Sequence, residues 1–151
     1  MTEVASPFTG TVISLDDVND EVFSERVMGE GVAVMPSDGR VVAPVTGTVA
    51  KLFEGGHGFA VETSEGLQIL VHVGLETVHL KGDGFTVRAR EGQEISAGEE
   101  IVNVDLERMT ELNIDLVSPV IVISGEAATV IASTEVKAGD PLLEVQPASP
   151  D

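Results

Sequence analysis

Cysteine is absent from the 151 residues, which excludes thiol catalysis and any Cys-ligated zinc or iron–sulfur centre. Basic residues are scarce as well: 8 Lys and Arg stand against 26 Asp and Glu, for a formal charge of −18. Nucleic acid is therefore not an expected partner, because phosphate backbones are bound by clustered cations. The same surplus of acid would steer a basic protein partner, and it serves solubility equally well. No apolar run approaches the ~20 residues of a membrane span. The opening Met1-Thr2-Glu3-Val4-Ala5-Ser6-Pro7 has neither the basic stretch nor the apolar run of a signal peptide. A cytoplasmic chain without a stable membrane anchor is the expectation, with residues 1–145 forming one domain and 146–151 a frayed Pro/Ser/Ala tail.

Helical periodicity is also in short supply. What recurs instead are short β-rich segments punctuated by glycine: Gly10-Thr11-Val12-Ile13-Ser14, Gly31-Val32-Ala33-Val34, Gly47-Thr48-Val49-Ala50-Lys51-Leu52-Phe53, Phe59-Ala60-Val61-Glu62, Gln68-Ile69-Leu70-Val71-His72-Val73 and Val120-Ile121-Val122-Ile123. Such a pattern predicts an all-β chain, an antiparallel β-sandwich or barrel. One or two short helices are expected, around 17–25 and at 106–112 behind an Asp105 cap.

Two internal echoes refine this. Ser6-Pro7-Phe8-Thr9-Gly10-Thr11-Val12 returns as Ala43-Pro44-Val45-Thr46-Gly47-Thr48-Val49, and Glu94-Ile95-Ser96-Ala97-Gly98-Glu99-Glu100-Ile101 returns as Glu135-Val136-Lys137-Ala138-Gly139-Asp140-Pro141-Leu142. Each reads as a duplicated hairpin unit, strand–turn–strand, with glycine where a tight turn needs positive φ.

Candidates for acid, base or nucleophile chemistry near neutrality are His57, His72 and His79. His72 lies in an apolar strand, and a second strand runs from Gly58 to Thr63. A two-residue Glu65-Gly66 loop would pair Ser64 with Leu67, His72 with Phe59 and His57 with Gly74. Side-chain alternation then puts both imidazoles on one face as diagonal neighbours, whereas a loop one residue longer would separate them. Two adjacent imidazoles have three sensible uses. One can attack a phosphoryl group while the other binds its oxygens; both can ligate a metal, although an arranged third ligand is missing; or both can be packed core residues.

Gly66-Leu67-Gln68-Ile69-Leu70-Val71-His72-Val73-Gly74-Leu75-Glu76-Thr77-Val78 resembles the phosphohistidine signature of the glucose-type enzyme IIA of the bacterial sugar phosphotransferase system. Further blocks fall in the family's order: Asp20-Glu21-Val22-Phe23, Val42-Ala43-Pro44-Val45-Thr46-Gly47-Thr48, Gly55-Gly56-His57-Gly58-Phe59 and Leu80-Lys81-Gly82-Asp83-Gly84-Phe85. The resemblance implies a monomeric phosphocarrier that needs no cofactor. It would accept a phosphoryl group from the small protein HPr on Nε2 of His72 and pass it to a cysteine of a sugar-specific IIB domain. His57 would support the transfer without carrying phosphate. Docking would use apolar Val22, Phe23, Val27, Met28, Phe53, Leu70 and Val78, with Asp20 and Glu76 as acids meeting a basic partner. The family also implies that His57 and His72 can bridge zinc with a carboxylate lent by a partner, and that some members act as regulatory binding proteins.

The chain departs from its relatives at three positions. Gly55 stands where many carry a threonine, Glu76 replaces a shorter Asp, and His79 stands where some have an acid, which makes His79 a solvated surface residue. The amphipathic N-terminal extension of some relatives is missing, so membrane attachment is not implied. A zinc peptidase of similar duplicated architecture would need an Asp four residues beyond His57, where Val61 stands, and a His-x-His pair that Leu70 and Gly74 preclude. A biotin- or lipoyl-carrier reading would rest on Lys137, which lacks the carrier motif.

Overall fold

In the computed structural model, which describes residues 2–146, the chain runs β1 (Thr2–Ala5), β2 (Gly10–Ile13), α1 (Glu21–Ser24), β3 (Glu30–Pro36), β4 (Arg40–Val42), β5 (Gly47–Leu52), β6 (Gly58–Glu62), β7 (Gln68–His72), β8 (Phe85–Val87), β9 (Glu94–Ile95), β10 (Glu100–Val104), α2 (Leu106–Glu111), β11 (Ser118–Val122), β12 (Ala128–Val130), β13 (Glu135–Val136) and β14 (Pro141–Val145). Single 3₁₀ turns lie at Leu15–Asp17 and Thr77–Leu80. The strand pairs within each sheet are antiparallel. An eight-stranded sheet in the order β13-β2-β3-β11-β7-β6-β5-β9 is joined by two small sheets, β1-β14-β12 and β4-β10-β8.

The apolar runs are continuous rather than alternating because the middle of the large sheet is covered on both faces. Phe59 and Val61 of β6, Ile69 and Val71 of β7, and Val120 and Val122 of β11 enter the main core with Phe8, Ile101, Leu142 and Leu143. The intervening Ala60, Leu70 and Ile121 enter a smaller cluster with Leu15, Val18, Phe23 and Leu75. His72 follows Leu70 on that second face, at the end of β7. The first expected helix is therefore split. The chain bends through extended Val18 and Asp20 so that Leu15, Val18 and Phe23 can all roof the second cluster, and Asp20 caps α1 by accepting from Val22 N–H at 2.9 Å. The second helix forms as expected, with Asp105 Oδ1 accepting from Arg108 N–H at 3.1 Å.

The two sequence echoes turn out to interlock. Ser6 N–H donates to the Asp140 carbonyl at 2.7 Å and Gly139 N–H to the Ser6 carbonyl at 2.9 Å. In the second copy Ala43 N–H donates to Glu99 at 2.8 Å and Gly98 N–H to Ala43 at 2.9 Å. Thr9 Oγ1 accepts from Ala138 N–H at 2.9 Å, and its counterpart Thr46 Oγ1 accepts from Ala97 N–H at 3.0 Å. Asp140 and Glu99 brace the two turns by accepting from Lys137 and Ser96 N–H. The duplication is real, but the strands of the second echo do not pair with one another. β9 joins β5 and β13 joins β2 in the large sheet, whereas β10 and β14 join the small sheets, so each unit turns a corner between layers.

Gly98 and Gly139 carry the positive φ expected of these turns. Gly10 and Gly47 do not; they are glycine because a Cβ would lie 2.0 Å from the carbonyl oxygens of Met35 and Glu62 respectively. Of the expected C-terminal tail, Gln146 donates its N–H to the Ala127 carbonyl at 2.9 Å, and 147–151 lie outside the described residues.

Candidate active site

The β6–β7 hairpin that carries both histidines closes differently from the two-residue loop expected. Thr63 N–H donates to the Leu67 carbonyl, and Gly66 N–H donates back to the Thr63 carbonyl, leaving Ser64, Glu65 and Gly66 as a three-residue loop. Threonine favours this closure, since Thr63 Oγ1 also accepts from Leu67 N–H at 3.1 Å. The ladder shifts by one residue: His72 pairs with Gly58, and the backbone carbonyl of His57 accepts from Val73 N–H at 2.7 Å. Strict alternation would now put the imidazoles on opposite faces. They are nonetheless neighbours, with ring centroids 5.6 Å apart at 68°.

Alternation fails because His57 lies before β6, at the exit of a tight turn. Gly56 N–H bonds back to the Phe53 carbonyl, and Gly55 and Gly56 have φ of +93° and +91°. Both glycines are also closely approached. A Cβ on Gly55 would sit 2.9 Å from the Gly82 nitrogen, and one on Gly56 2.7 Å from Val87 Cγ2. A threonine in place of Gly55 would thus be strained in this chain. Gly58 has a third reason to lack a side chain: the Phe53 ring would lie 2.5 Å from its Cβ. That ring lies with its centroid 5.3 Å from His57, and Phe23 is placed likewise 5.8 Å from His72.

His72 is half-buried, and its Nδ1 lies 2.6 Å from the Gly74 carbonyl. A carbonyl only accepts, so Nδ1 bears the hydrogen and Nε2 of the neutral ring keeps its lone pair. Gly74 turns its carbonyl toward the ring at φ +74°, with Thr77 Cγ2 only 2.8 Å from where a Cβ would be. Burial lowers the pKa of His72, opposed by the bond to Gly74 and by the charge of Asp20. His57, 8% exposed, is lowered first by burial and then by the nearness of His72, against a hydrogen bond to the Glu54 backbone. Both rings are held toward the neutral form that a nitrogen nucleophile requires.

Of the apolar residues expected at the docking surface, Val22, Val27, Met28 and Val78 are exposed, at 44%, 73%, 41% and 53%. Phe53 is half-buried, with its ring against His57. Phe23 and Leu70, expected on the same surface, lie beneath it in the second cluster, because roofing Ala60 and Ile121 requires them. Asp20 and Glu76 border one cleft with Leu75, Asp115 and the exposed His79. Among the described residues no three His, Asp or Glu gather as a metal site, so the histidine pair would need outside ligands to hold an ion. Val61, where a zinc peptidase would need its Asp, is in the main core, and Lys137 is exposed at the turn after β13.

Sequence reasoning passed over Ser118, whose hydroxyl is wholly buried and accepts from Gly74 N–H at 3.0 Å. Its signal was a lone hydroxyl opening the otherwise apolar Ser118-Pro119-Val120-Ile121-Val122. No helix among the described residues is long and apolar enough to cross a membrane.

The fold as a whole has counterparts among known proteins. Residues 2–128 match the model of the phosphoenolpyruvate-dependent sugar phosphotransferase system, EIIA 1. A glucose-specific EIIA component from Halalkalibacterium halodurans is 39% identical over 91% of this chain and 81% of its own. The N-acetylglucosamine-specific EIICBA component of Escherichia coli is 44% identical over 79% of this chain, which corresponds to 18% of that longer protein. The glucose permease IIA of Mycoplasma capricolum superposes with a TM-score of 0.89 at 38% identity, over 94% of both chains. With its fold and most of its length in common with these proteins, the chain belongs to the EIIA 1 family of the phosphoenolpyruvate-dependent sugar phosphotransferase system.

Proposed function

We propose that this phosphotransferase-system component carries phosphate as a phosphohistidine on Nε2 of His72, in the cytoplasm, between HPr and a sugar-specific IIB domain. The observation that carries the reading is the Nδ1–Gly74 hydrogen bond, which leaves Nε2 unprotonated beside a second imidazole and an exposed apolar rim. In the first step the Nε2 lone pair attacks phosphorus, the N–P bond of His72 forms, and the donor keeps the electron pair of the bond it loses. In the second, a IIB cysteine thiolate attacks the same phosphorus and the N–P bond breaks. His57 stabilises charge on the transferred oxygens, and Gly74 balances the positive charge that the ring acquires on transfer.

An apolar rim of Val22, Val27, Met28 and Val78 with acids Asp20 and Glu76 suits a partner that is apolar and basic. A IIB partner is supported by relatives whose names join A, B and C components for N-acetylglucosamine. Zinc at His57 and His72 would depend on a carboxylate from such a partner.

The test is to mix the protein with phosphoenolpyruvate, enzyme I and HPr and measure intact mass. One acid-labile phosphoryl group is expected, absent in His72→Gln. A group that persists in that variant sinks the reading. His57→Gln should still accept phosphate but donate it poorly to IIB.

A further inference from the structure

Gly74 sits between two peptide planes, and every polar end of both is occupied. In the Val73–Gly74 peptide, N–H donates to Ser118 Oγ at 3.0 Å and the carbonyl accepts from Thr77 Oγ1 at 2.7 Å. In the Gly74–Leu75 peptide, Leu75 N–H donates to the Asp115 carbonyl at 2.9 Å and the Gly74 carbonyl accepts from His72 Nδ1. Ser118 is itself oriented, since its hydroxyl hydrogen goes to the Leu116 carbonyl at 2.6 Å. That leaves its lone pairs for Gly74. Ser118 and Thr77 are both fully buried, and no buried side-chain polar atom among the described residues lacks a partner.

Buried hydroxyls are held at the cost of desolvation, so their bonds have to be made, and a glycine at φ +74° is the residue least able to fix its own torsions. Resting on the reading of His72 as the accepting residue, we infer that Ser118 and Thr77 are positioning residues: their hydroxyls clamp the Val73–Gly74 peptide so that the Gly74 carbonyl stays on Nδ1 and Nε2 stays the nucleophilic nitrogen. Neither touches the phosphoryl group. Without the clamp, Gly74 can rotate its carbonyl away, and the proton can move to Nε2, where it blocks attack. Asp115 fixes the second plane through backbone alone, so the side-chain dependence falls on these two hydroxyls.

The experiment reads the His72 ring directly, by ¹⁵N NMR of the unphosphorylated chain. The Nδ1–H tautomer should dominate in the native protein. Ser118→Ala and Thr77→Val should each raise the Nε2–H form to a readily measured fraction and slow phosphoryl acceptance roughly 3- to 10-fold, the scale of one lost hydrogen bond. Ser118→Thr and Thr77→Ser should restore both. An unchanged tautomer ratio in the two hydroxyl-free variants overturns the inference. If those variants fail to fold, hydrogen exchange of the native Gly74 amide decides: strong protection is expected, and exchange at the rate of an unstructured peptide overturns it. A native chain that takes no phosphoryl group refutes the carrier role, yet the tautomer ratio still decides the clamp independently.

Discussion

The rings of His57 and His72 are 5.6 Å apart although their backbones occupy positions of opposite parity in the β6–β7 ladder. The exception is made by the Gly55-Gly56 turn, and Gly58 leaves the space in which Phe53 backs His57.

A methyl group at Gly58 should test that arrangement. Its Cβ would press on the Phe53 ring at 2.5 Å, so Gly58→Ala should displace the ring and cost about 1–3 kcal/mol of stability. Phosphoryl donation should fall more than acceptance, because His57 loses its backing while His72 keeps Gly74. Chemical denaturation and separate rates for the two half-reactions check this, and equal losses in both would contradict it.

The two histidines also make stability depend on pH. Both have native pKa values below the ordinary 6.5, so the unfolded chain binds more protons as pH falls through that value. Their contribution is therefore complete above about pH 6.5 and is lost progressively below it, through the depressed native values. Denaturation midpoints from pH 7.5 to 5 should fall less steeply in a His57→Gln, His72→Gln double variant. Parallel curves would show that the rings carry no proton linkage. Phosphoryl acceptance should decline over the same acidic range, as protonation removes the Nε2 lone pair.

On the apolar rim, Val27→Glu and Val78→Glu change residues that are more than half exposed. Stability should move by no more than about 0.5 kcal/mol. Acceptance from HPr should weaken by about tenfold, chiefly by losing apolar contact. Titrating the donor at fixed salt would show it as a raised KM, and a changed kcat alone would argue against docking there.

The duplicated corner supplies a matched pair. Gly10→Ala and Gly47→Ala place a Cβ against carbonyl oxygens in equivalent ladders, of Met35 and Glu62. Both should destabilise by about 1–3 kcal/mol or more, and by similar amounts. Equilibrium unfolding of the two variants is the comparison, and a tolerated substitution at either position would break the equivalence.

Much of this molecule could be read from its chain because burial on both faces writes continuous apolar runs into β3, β6, β7 and β11. Strands such as β4, β8 and β12, three residues each, carry no period to detect. The adjacency of His57 and His72 was expected from a register that does not exist. Thr63 closes a three-residue loop, and the Gly55-Gly56 turn then restores the shared face, so two departures offset each other. Turn type is decided by hydrogen bonds such as Thr63 to Leu67, which residue spacing alone does not specify. The burial of Phe23 and Leu70 was not legible for another reason: an apolar residue beside a site has the same sequence signature whether it faces a partner or supports the residues that do.

The ladder of β1 with β14 has a consequence for how the molecule folds. Thr2 pairs with Val145 and Glu3 with Glu144, so this ladder joins residues more than 140 positions apart. The bond between Thr11 and Glu135 closes a loop almost as long. Loop closure over such separations is slow, and the folding chain holds unpaired strand edges until these contacts form. Its surplus of acid then has a second use, keeping neighbouring incompletely folded chains apart while those edges wait.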